Sequence, residues 1–383
     1  MNNKQIQVLY ILTKLELGGA QKVCLSLLKG VKDSNNYAGL ISGSQGSLID
    51  QVKAQESIFL LDSFKREFGF KNFFKEIKNF FEVLKIIKKV KKNNPNLIVH
   101  THSTKAGLIG RWAAFFACVK NRVHTVHGFG FHEFQPKLVW FIIYFLELIT
   151  SFITTKYICV SKKDLELGKK IFPGFSKKSV VIRAAVDWDN FHIPAKKMKN
   201  YSDEKFILGA VSCFKPQKNL FDLLSAFKNV YEALDLNSRE NILLQIIGDG
   251  KQRIEIEKWI SENQLIGKIE LLGWQNDVAS WMKTWDLFVM SSLWEGLPCA
   301  VVEARLSKLP IITYDVGGIY EILQNGKNGF LVKTGDYKIL AEKIKKLFLN
   351  KPLHKSMSLH PDNLDEFKNS VMIKRHLEFY KNL

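Results

Sequence analysis

The sequence is poor in cysteine, and it contains no apolar run long enough to cross a membrane. Its five cysteines are scattered, with no pair at C-x-x-C spacing. This favours a reducing compartment and argues against a disulfide framework or a zinc site. The longest apolar run, residues 138–153, contains Glu147 and is shorter than the ~20 residues that a spanning helix needs. We therefore expect a buried or interfacial helix there.

Acidic residues are scarce relative to basic ones, 37 against 56, which gives a net charge of +19. Such a chain is attracted to an anion, whether a nucleic acid, an acidic lipid or a phosphorylated small molecule. No recognised nucleic-acid-binding motif occurs, and the basic residues follow the helices generally, so we expect no nucleic-acid partner. A basic protein that binds nucleic acid or an anionic surface is kept as an alternative.

The N-terminal segment lacks the pattern of a secretion signal. Its apolar stretch is short and is followed by Lys14 and Glu16, and no small-residue cleavage site follows. Together with the scattered cysteines, this predicts a cytoplasmic protein.

Short apolar runs alternate with amphipathic helical stretches along the chain, a pattern typical of parallel βαβ architecture. A polar, lysine-rich stretch at 194–205 interrupts the pattern, and 383 residues are too many for one ordinary core. The sequence predicts an α/β protein with two Rossmann-like domains, 1–195 and 205–363, and a C-terminal helix in 364–383 that packs back on the first. The predicted strands are 6–12, 38–42, 57–61, 97–101, 122–126, 156–160, 179–183, 206–211, 242–247, 268–272, 286–290, 310–313 and 329–332.

In such sheets, ligands bind at the carboxyl ends of the strands. The loop after the first strand carries Gly18-Gly19-Ala20-Gln21, where adjacent glycines allow close backbone approach and a helix start offers N–H groups to an anion. An ordinary glycine turn is the alternative. The loop has no G-x-G-x-x-G, so it gives no support to a nicotinamide site.

Histidines concentrate at two later strand ends. Residues 100–107 read HTHSTKAG and residues 124–134 read HTVHGFGFHEF, which together hold five of the nine histidines. No metal-ligand spacing is present, so hydrogen bonding to a polar substrate is the better functional hypothesis. His127, followed by Gly128, is the leading candidate, and a purely structural histidine is an equal alternative.

The second half has two candidate loops. Lys215 and Lys218 follow its first strand, where ammonium groups can meet phosphate or simply be solvated. The segment SSLWEGLPCAVVEA places Glu295 and Glu303 on either side of a Gly-Leu-Pro turn. Glu303 falls among apolar helix residues, where a carboxylate needs a partner; ligand hydroxyls or a nearby lysine would serve.

Several motifs occur in one order across most of the chain. They are GGAQ at 18–21, TVHG at 125–128, the Q-K pair at 217–218, the E-x7-E pair at 295 and 303, DVGGIYEIL at 315–323 and NGKNGFLV at 325–332. With these motifs the sequence resembles the family 4 glycosyltransferases of bacterial polysaccharide synthesis, which are retaining enzymes of the GT-B fold. The resemblance implies two Rossmann-like domains facing a central cleft, with the acceptor held by the first domain and a nucleotide-sugar, expected to be a UDP-sugar, held by the second.

The resemblance also implies residue roles. His127 and Glu295 would be the catalytic pair at the donor sugar. The donor would be bound by Gly19, Lys215, Lys218, Gly296, Leu297 and Glu303, with Glu303 on the ribose hydroxyls and Lys218 on the diphosphate. The acceptor, a glycan or a polyprenyl-linked sugar, would be bound by Gly18, Gln21, His102 and Lys105. No metal and no other cofactor is implied.

One position departs from the family pattern. The family has an Arg four to five residues before the Lys that aligns with Lys218, and this sequence has Cys213 there. A thiol cannot replace a guanidinium on a diphosphate. We hypothesise that Lys215 supplies part of the missing charge.

The segment 64–92 combines ten basic residues with a helical stripe of apolar ones that includes Phe74, Phe81 and Ile87. It fits a helix packed on the sheet with a solvated lysine face, or a helix on anionic lipid. We expect a mixture of the two, with peripheral association at the inner face of the plasma membrane.

Two enzyme alternatives share the architecture. A GT-B nucleotide-sugar epimerase would need no acceptor, and a nicotinamide oxidoreductase would need the glycine fingerprint that is missing here.

Overall fold

The computed structural model describes residues 5–64, 73–194 and 205–383. The chain divides into two compact units, each of which is described by itself below. The predicted linker, 194–205, lies largely outside the described residues.

The first unit comprises Met1–Ala185 and Glu366–Leu383, and the second Val186–Asp365. The first unit thus ends at Ala185 and not at the predicted 195, because the residues that follow pack on the second unit. Phe191 accepts a hydrogen bond from Ser307 Oγ at 3.3 Å, and the Ile193 amide donates to the Leu306 carbonyl at 3.1 Å.

In the described residues the first unit contains one sheet of seven parallel strands, in the order β3-β2-β1-β4-β5-β6-β7. The strands are β1 (Gln7–Ile11), β2 (Tyr37–Gly43), β3 (Ile58–Leu61), β4 (Ile98–His102), β5 (Asn121–Val126), β6 (Lys156–Cys159) and β7 (Ser179–Val181). The central strands β1 and β4 are almost wholly buried, as expected for parallel strands covered by helices on both faces.

The second unit contains a parallel sheet of six described strands in the order β10-β9-β8-β11-β12-β13. The strands are β8 (Phe206–Val211), β9 (Ile242–Ile247), β10 (Ile269–Gly273), β11 (Leu287–Met290), β12 (Ile311–Tyr314) and β13 (Gly329–Val332). Every strand in both sheets falls within two residues of its predicted position, so the predicted α/β class and the two Rossmann-like sheets are confirmed.

Helices connect successive strands. They are α1 (Gly19–Asp33), α2 (Phe73–Asn93), α3 (Thr104–Phe116), α4 (Lys137–Ile153), α5 (Lys162–Ile171), α6 (Phe175–Lys178), α7 (Trp188–Phe191), α8 (Leu220–Glu232), α9 (Leu236–Glu240), α10 (Arg253–Glu262), α11 (Val278–Met282), α12 (Cys299–Leu306), α13 (Tyr337–Leu349), α14 (Lys351–Leu359) and α15 (Asn369–Lys381). The C-terminal helix α15 packs against α1. Gly30 makes this approach possible, since a Cβ there would lie 2.6 Å from Ile373 Cδ1.

Each sheet has a point where the strand order reverses. In the first sheet the chain runs outward from β1 to β3 and then crosses to β4, and in the second it runs from β8 to β10 and crosses to β11. The loops that leave the two central strands diverge there, and such switch points are where open α/β sheets bind ligands. The predicted site residues lie at the ends of β1, β4 and β5 in the first unit and of β8 and β11 in the second.

Residues 138–153 form most of α4, which is only partly buried. Its inner face contains the buried Glu147, Thr150 and Ser151, whereas its outer face exposes large apolar side chains. The predicted helix is therefore present, and it is buried on its inner face only. Among the described helices, none combines the length and the apolarity needed to traverse a bilayer.

Candidate functional site

A largely buried ion pair in the second unit joins its two switch-point loops. Lys218, in the loop after β8, places its Nζ 2.5 Å from Oε1 of Glu295, in the loop after β11, and both side chains are mostly buried. The two residues lie 77 positions apart in the sequence. The fold therefore brings together a predicted diphosphate-binding lysine and a predicted catalytic carboxylate.

Neighbouring residues hold these two loops in register. Gln217 donates from Nε2 to the Trp294 carbonyl at 2.7 Å and accepts from the Leu293 amide at 2.8 Å. Ser291 Oγ lies 3.0 Å from the Lys218 carbonyl. These hydrogen bonds all involve main-chain atoms, so they fix the path of the two loops. The side chains of Lys218 and Glu295 remain available to contact each other. Ser291 was not predicted, because a serine at a strand end carries no distinctive sequence signal.

The backbone at Gly296 lies against a later glycine loop. The Gly318 amide donates to the Gly296 carbonyl at 2.7 Å, and Gly317 has a φ of +57°. A Cβ at Gly317 would collide with the carbonyl oxygens of Glu295 and Gly296. The DVGG motif thus supplies the close approach that positions Gly296 and the adjoining, buried Leu297.

Glu303 is the fifth residue of α12 and is half-buried, between the buried residues Val302 and Ala304. The first turn of α12 has no side-chain cap and no acidic residue. Its N–H groups can therefore donate hydrogen bonds to an anion at the carboxyl end of β11. Glu303 lies one turn further along the same short helix.

Lys215 and Cys213 lie in the loop after β8, and both are partly exposed. The loop is tied to the end of β9, since the Phe214 amide donates to the Asp249 carbonyl at 2.9 Å. Gly248, with a φ of +126°, permits this contact, because a Cβ would collide with the Ser212 carbonyl. Lys215 thus has a defined backbone position two residues from the cysteine that replaces the family's arginine.

In the first unit, Gly18 and Gly19 lie where β1 leads into α1. Gly18 is extended and its carbonyl accepts the first helical bond, from the Lys22 amide, at 3.0 Å. A Cβ on Gly18 would lie 2.6 Å from Gln21 Oε1, so the Gln21 side chain folds back over this glycine. The start of α1 also has neither a side-chain cap nor an acidic residue in its first turn.

His102, at the end of β4, contacts His127, just after β5: the Nδ1 of His102 is 3.0 Å from the Nε2 of His127. One ring must donate and the other accept. The Nε2 of His102 is buried and finds no hydrogen-bond partner among the described residues. A buried N–H without an acceptor is rarer than an unpaired acceptor, so we assign the proton to His102 Nδ1. His127 then carries its own proton on Nδ1.

Burial keeps these rings neutral. Desolvation lowers the pKa of His102 well below its ordinary value and that of His127 to about 4, and the neighbouring histidines add to both effects. At neutral pH, His127 is therefore an uncharged hydrogen-bond donor, with its orientation set by His102.

A second buried network lies beside this pair. His100 stacks on His102 with ring centroids 4.5 Å apart, and its Nδ1 is 2.6 Å from the Tyr380 hydroxyl. Its Nε2 is 2.7 Å from Thr125 Oγ1, and Tyr380 also meets the Tyr10 hydroxyl at 3.2 Å. The C-terminal helix thus supports the histidine pair. No local sequence signal linked Tyr380 to residues 280 positions away.

Ser103 is strained and was not predicted. It follows His102 directly and has φ +67° and ψ +154°, a region that is essentially reserved for glycine and costs about 1–3 kcal/mol. Its side chain lies 3.5 Å from Thr13 Oγ1, in the loop after β1. Strain of this kind between two switch-point loops marks the turn as one constrained for function.

Lys105 joins two helices of the first unit. Its side chain is only 3% exposed, and its Nζ lies 2.5 Å from Glu76 Oε1 on α2. A buried lysine needs such a partner to compensate its charge. The ion pair connects α2 to α3, and the acceptor contact of Lys105 stays a prediction.

Across the ranges 5–64, 73–194 and 205–383, no group of three or more His, Cys, Asp or Glu side chains is placed to hold a metal ion. Within each unit, the fold brings together His102 with His127, Gly18 with Gln21, and Lys218 with Glu295.

Both halves of the chain match known families. Residues 17–190 match the family described as Glycosyltransferase Family 4, and residues 193–359 match the family described as Glycosyl transferases group 1. Together the two matches span strands β2 to β13 and include every predicted site residue.

Relatives with assigned names match over most of their length. One is the Escherichia coli UDP-Gal:alpha-D-GlcNAc-diphosphoundecaprenol alpha-1,3-galactosyltransferase, which is 30% identical over 87% of this chain and 86% of its own. Another is the capsular polysaccharide biosynthesis glycosyltransferase CapM of Staphylococcus aureus, 29% identical over 72% of this chain and 73% of its own. Among solved structures, Anabaena Alr3699/HepE in complex with UDP-glucose has a TM-score of 0.78 at 17% identity, covering 99% of this chain and 100% of that one.

The fold and these relatives define a glycosyltransferase of the GT-B class. The chain belongs to glycosyltransferase family 4. The predicted family, fold and enzyme class are confirmed, and the epimerase, oxidoreductase and nucleic-acid-binding alternatives are not favoured.

Proposed function

We propose that the chain is a retaining glycosyltransferase that moves a sugar from a UDP-sugar to a polyprenyl-diphosphate-linked sugar in cell-surface polysaccharide synthesis. The observation that carries the proposal is the Escherichia coli relative, whose name states a UDP-Gal donor and a diphosphoundecaprenol-linked acceptor and which matches over 86% of its length. A Campylobacter jejuni relative, 24% identical over 81% of this chain, is also named for a diphospho-undecaprenol acceptor.

The donor would occupy the carboxyl end of the second sheet. The Lys218 ammonium group and the uncapped start of α12 supply positive charge for a diphosphate. Glu303, further along α12, would accept hydrogen bonds from the ribose hydroxyls. Lys215 would add charge where the family's arginine is replaced by Cys213.

The Lys218–Glu295 ion pair gives both residues a role in the free enzyme. Each charge compensates the other, with Nζ and Oε1 2.5 Å apart. When a diphosphate binds, Lys218 would turn towards the phosphate oxygens, and Glu295 would then accept bonds from the sugar hydroxyls. The pair thereby keeps two buried charges compensated in both states.

In the first unit, we expect His127 and the glycines of the first loop to contribute. His127, neutral and protonated on Nδ1, would donate a hydrogen bond to the donor sugar, while Gly18 and Gly19 allow close approach near the start of α1. Gln21 and His102 would border the acceptor. Catalysis would then be electrostatic, through stabilisation of the departing diphosphate and the oxocarbenium-like sugar. Lysine and helix N–H groups supply that charge, so we expect no metal requirement.

A lipid-linked acceptor lies in a membrane. We therefore expect the enzyme to work at the cytoplasmic face of the bilayer, bound to it peripherally.

The test is a transfer assay with the full-length protein. UDP-galactose, UDP-glucose, their N-acetylated forms and GDP-mannose are each supplied with a short-chain polyprenyl-diphosphate-linked N-acetylglucosamine, and products are read by mass and by anomeric coupling in NMR. We expect one UDP-sugar to add a single α-linked residue, and Glu295→Gln to lose this activity while Glu342→Gln on α13 keeps it. Conversion of a nucleotide-sugar without acceptor would support an epimerase, and the absence of turnover with every donor would contradict the proposal.

A further inference from the structure

The outer face of α4 is apolar along its whole length. Its exposed large side chains recur every three or four residues, so they form one stripe on the helix. They are Leu138, Phe141, Phe145, Ile149 and Phe152, and Leu138 and Phe152 are about two-thirds exposed, at 71% and 67%. A helix on the surface of a soluble protein ordinarily presents polar residues there.

Buried polar contacts prevent α4 from turning this stripe inward. Glu147, on the inner face, accepts a hydrogen bond from Arg111 at 2.7 Å, and both side chains are almost fully buried. One turn later, Thr150 accepts from Trp112 Nε1 at 3.0 Å. Rotating the helix would break a buried ion pair, so the exposure of the stripe is fixed by the fold.

The apolar face continues onto the two preceding helices. The crossovers that contain α2, α3 and α4 run in one direction across the sheet, which places all three on the same side, and α3 packs against both of the others. An aromatic contact links α2 to α3, since the ring of Phe80 on α2 lies 6.0 Å from that of Phe116 on α3. The hydrogen bond from Trp112 on α3 to Thr150 links α3 to α4. We call the combined face the α2–α4 surface; its exposed members are Phe74, Phe81, Phe115, Phe116, Leu138, Phe141, Phe145, Ile149 and Phe152.

Basic side chains border this surface. Lys85, Lys88 and Lys92 are exposed on α2, along the stripe that begins with Phe74 and Phe81. The Arg122 guanidinium lies 5.5 Å from the centre of the Phe115 ring. The surface therefore combines exposed phenylalanines with cationic groups at its edge.

We propose that the α2–α4 surface docks on an anionic lipid bilayer, with the α4 stripe inserted at the boundary between headgroups and acyl chains and the α2 lysines on lipid phosphates. Helices that lie in a membrane interface have this division into an apolar face and a basic border. At about 25 Å for 17 residues, α4 lies along the surface and is too short to cross the bilayer.

Charge complementarity selects the bilayer over a protein partner. Lysine is depleted in protein–protein interfaces, whereas each lysine near an anionic membrane strengthens binding. The net charge of +19 also favours binding to an anionic membrane. The inference rests on the proposed lipid-linked acceptor and deepens it, since it assigns the membrane contact mainly to α4, where the sequence pointed only to the segment 64–92.

The test is flotation of the full-length protein with phosphatidylcholine vesicles, with and without phosphatidylglycerol, at low and high salt. Two substitutions in the exposed stripe, Phe141→Gln with Phe145→Gln, should lower the partition coefficient at least about tenfold. Two lysine substitutions, Lys85→Gln with Lys88→Gln, should lower it about thirtyfold at low salt and much less at high salt. Both decreases in the partition coefficient should be larger on vesicles that contain phosphatidylglycerol than on vesicles that do not.

Matched controls lie in the second unit. Leu236→Gln with Ile254→Gln removes two side chains that are 77% and 79% exposed, and Lys338→Gln with Lys355→Gln removes two exposed lysines; neither pair should alter vesicle binding. Thermal unfolding verifies that each variant is folded. Equal vesicle binding by the α4 variant and its control would overturn the inference. So would a dimer, detected by sedimentation without vesicles, that the α4 substitutions dissociate, because the face would then join two copies of the chain.

A second readout separates this inference from the proposed function. Transfer to a water-soluble acceptor analogue should be the same in the wild type and in the Phe141→Gln, Phe145→Gln variant, while transfer to acceptor in vesicles should fall with the loss of binding. Normal transfer in vesicles by a variant that no longer floats would contradict the claim that this docking serves the lipid-linked acceptor, and it would leave the enzymatic proposal intact. Absence of transfer to either acceptor by the wild type would overturn the enzymatic proposal alone, because flotation is measured without substrate.

Discussion

At the scale of single residues, the contact between His102 and His127 shows what the sequence could reveal and what it could not. The strand-end histidines were recognised as candidates, because polar residues at that edge of a parallel sheet face the ligand side. Their hydrogen bond and the orphaned Nε2 of His102 needed coordinates. The contact between Lys218 and Glu295 also needed coordinates, because the two residues lie in loops that are far apart in the sequence.

His127→Ala should lower turnover roughly a hundredfold at saturating donor, as expected for the loss of one positioned hydrogen-bond donor in a transition state. Affinity for UDP should be unchanged, because we propose that the diphosphate and ribose are bound by the second unit. Steady-state kinetics and UDP calorimetry measure the two quantities.

His102 should act on His127 as a positioning residue. His102→Asn can still donate to His127 Nε2 and should retain much of kcat, whereas His102→Leu cannot donate and should approach the His127→Ala value. Equal activity of the Asn and Leu variants would contradict the assigned proton positions.

At the scale of helices and strands, the apolar pattern predicted the strands well, because buried parallel strands read as short runs of Val, Ile and Leu. On α4 the same pattern predicted a helix but not which of its faces packs inward. The inner face is set by the contacts of Glu147 with Arg111 and of Thr150 with Trp112. The apolar pattern also did not predict that Tyr380 on α15 is buried.

Tyr380→Phe should destabilise the protein by about 1–3 kcal/mol, because the hydroxyl is buried and contacts both His100 and Tyr10. Urea unfolding followed by circular dichroism measures this change. Lys374→Ala, an exposed position on the same helix, is the control and should change stability much less. Matching effects from the two substitutions would show that the Tyr380 network contributes nothing.

At the scale of the whole molecule, length and the alternation of elements predicted two Rossmann-like units, but the first boundary was misplaced. The residues at 186–193 lack a sequence signal that assigns them to either side, and their contacts with Leu306 and Ser307 place them in the second unit. Domain membership here depends on tertiary packing that a single sequence does not display.

Buried histidines make both units sensitive to acid. Burial lowers the pKa of His376, in the first unit, and of His354, in the second, to about 4. In the unfolded chain a histidine has a pKa of about 6.5, so the unfolded state binds more protons between these values. Stability is therefore complete above about pH 6.5 and declines as the pH falls towards 4.

At pH 5 the loss should be about 1–2 kcal/mol per buried histidine relative to pH 7.5, measured by urea unfolding at the two pH values. His376→Gln should reduce this pH dependence by the contribution of one histidine, because other buried histidines of the first unit remain, and His360→Gln should not reduce it. A stability that is the same at pH 5 and pH 7.5 would contradict the burial of neutral rings.

The central claim is that the second unit binds the nucleotide of the donor, with Glu303 on the ribose. Calorimetric titration of UDP into the wild type, Glu303→Ala and Glu303→Gln tests it most directly, with Glu342→Ala as an exposed control. Hydrogen bonds to a charged group contribute about 1.5–3 kcal/mol, so Glu303→Ala should weaken UDP binding at least about tenfold. Glu303→Gln, which can still accept one bond, should lose less. Wild-type affinity in a folded Glu303→Ala variant would contradict the claim.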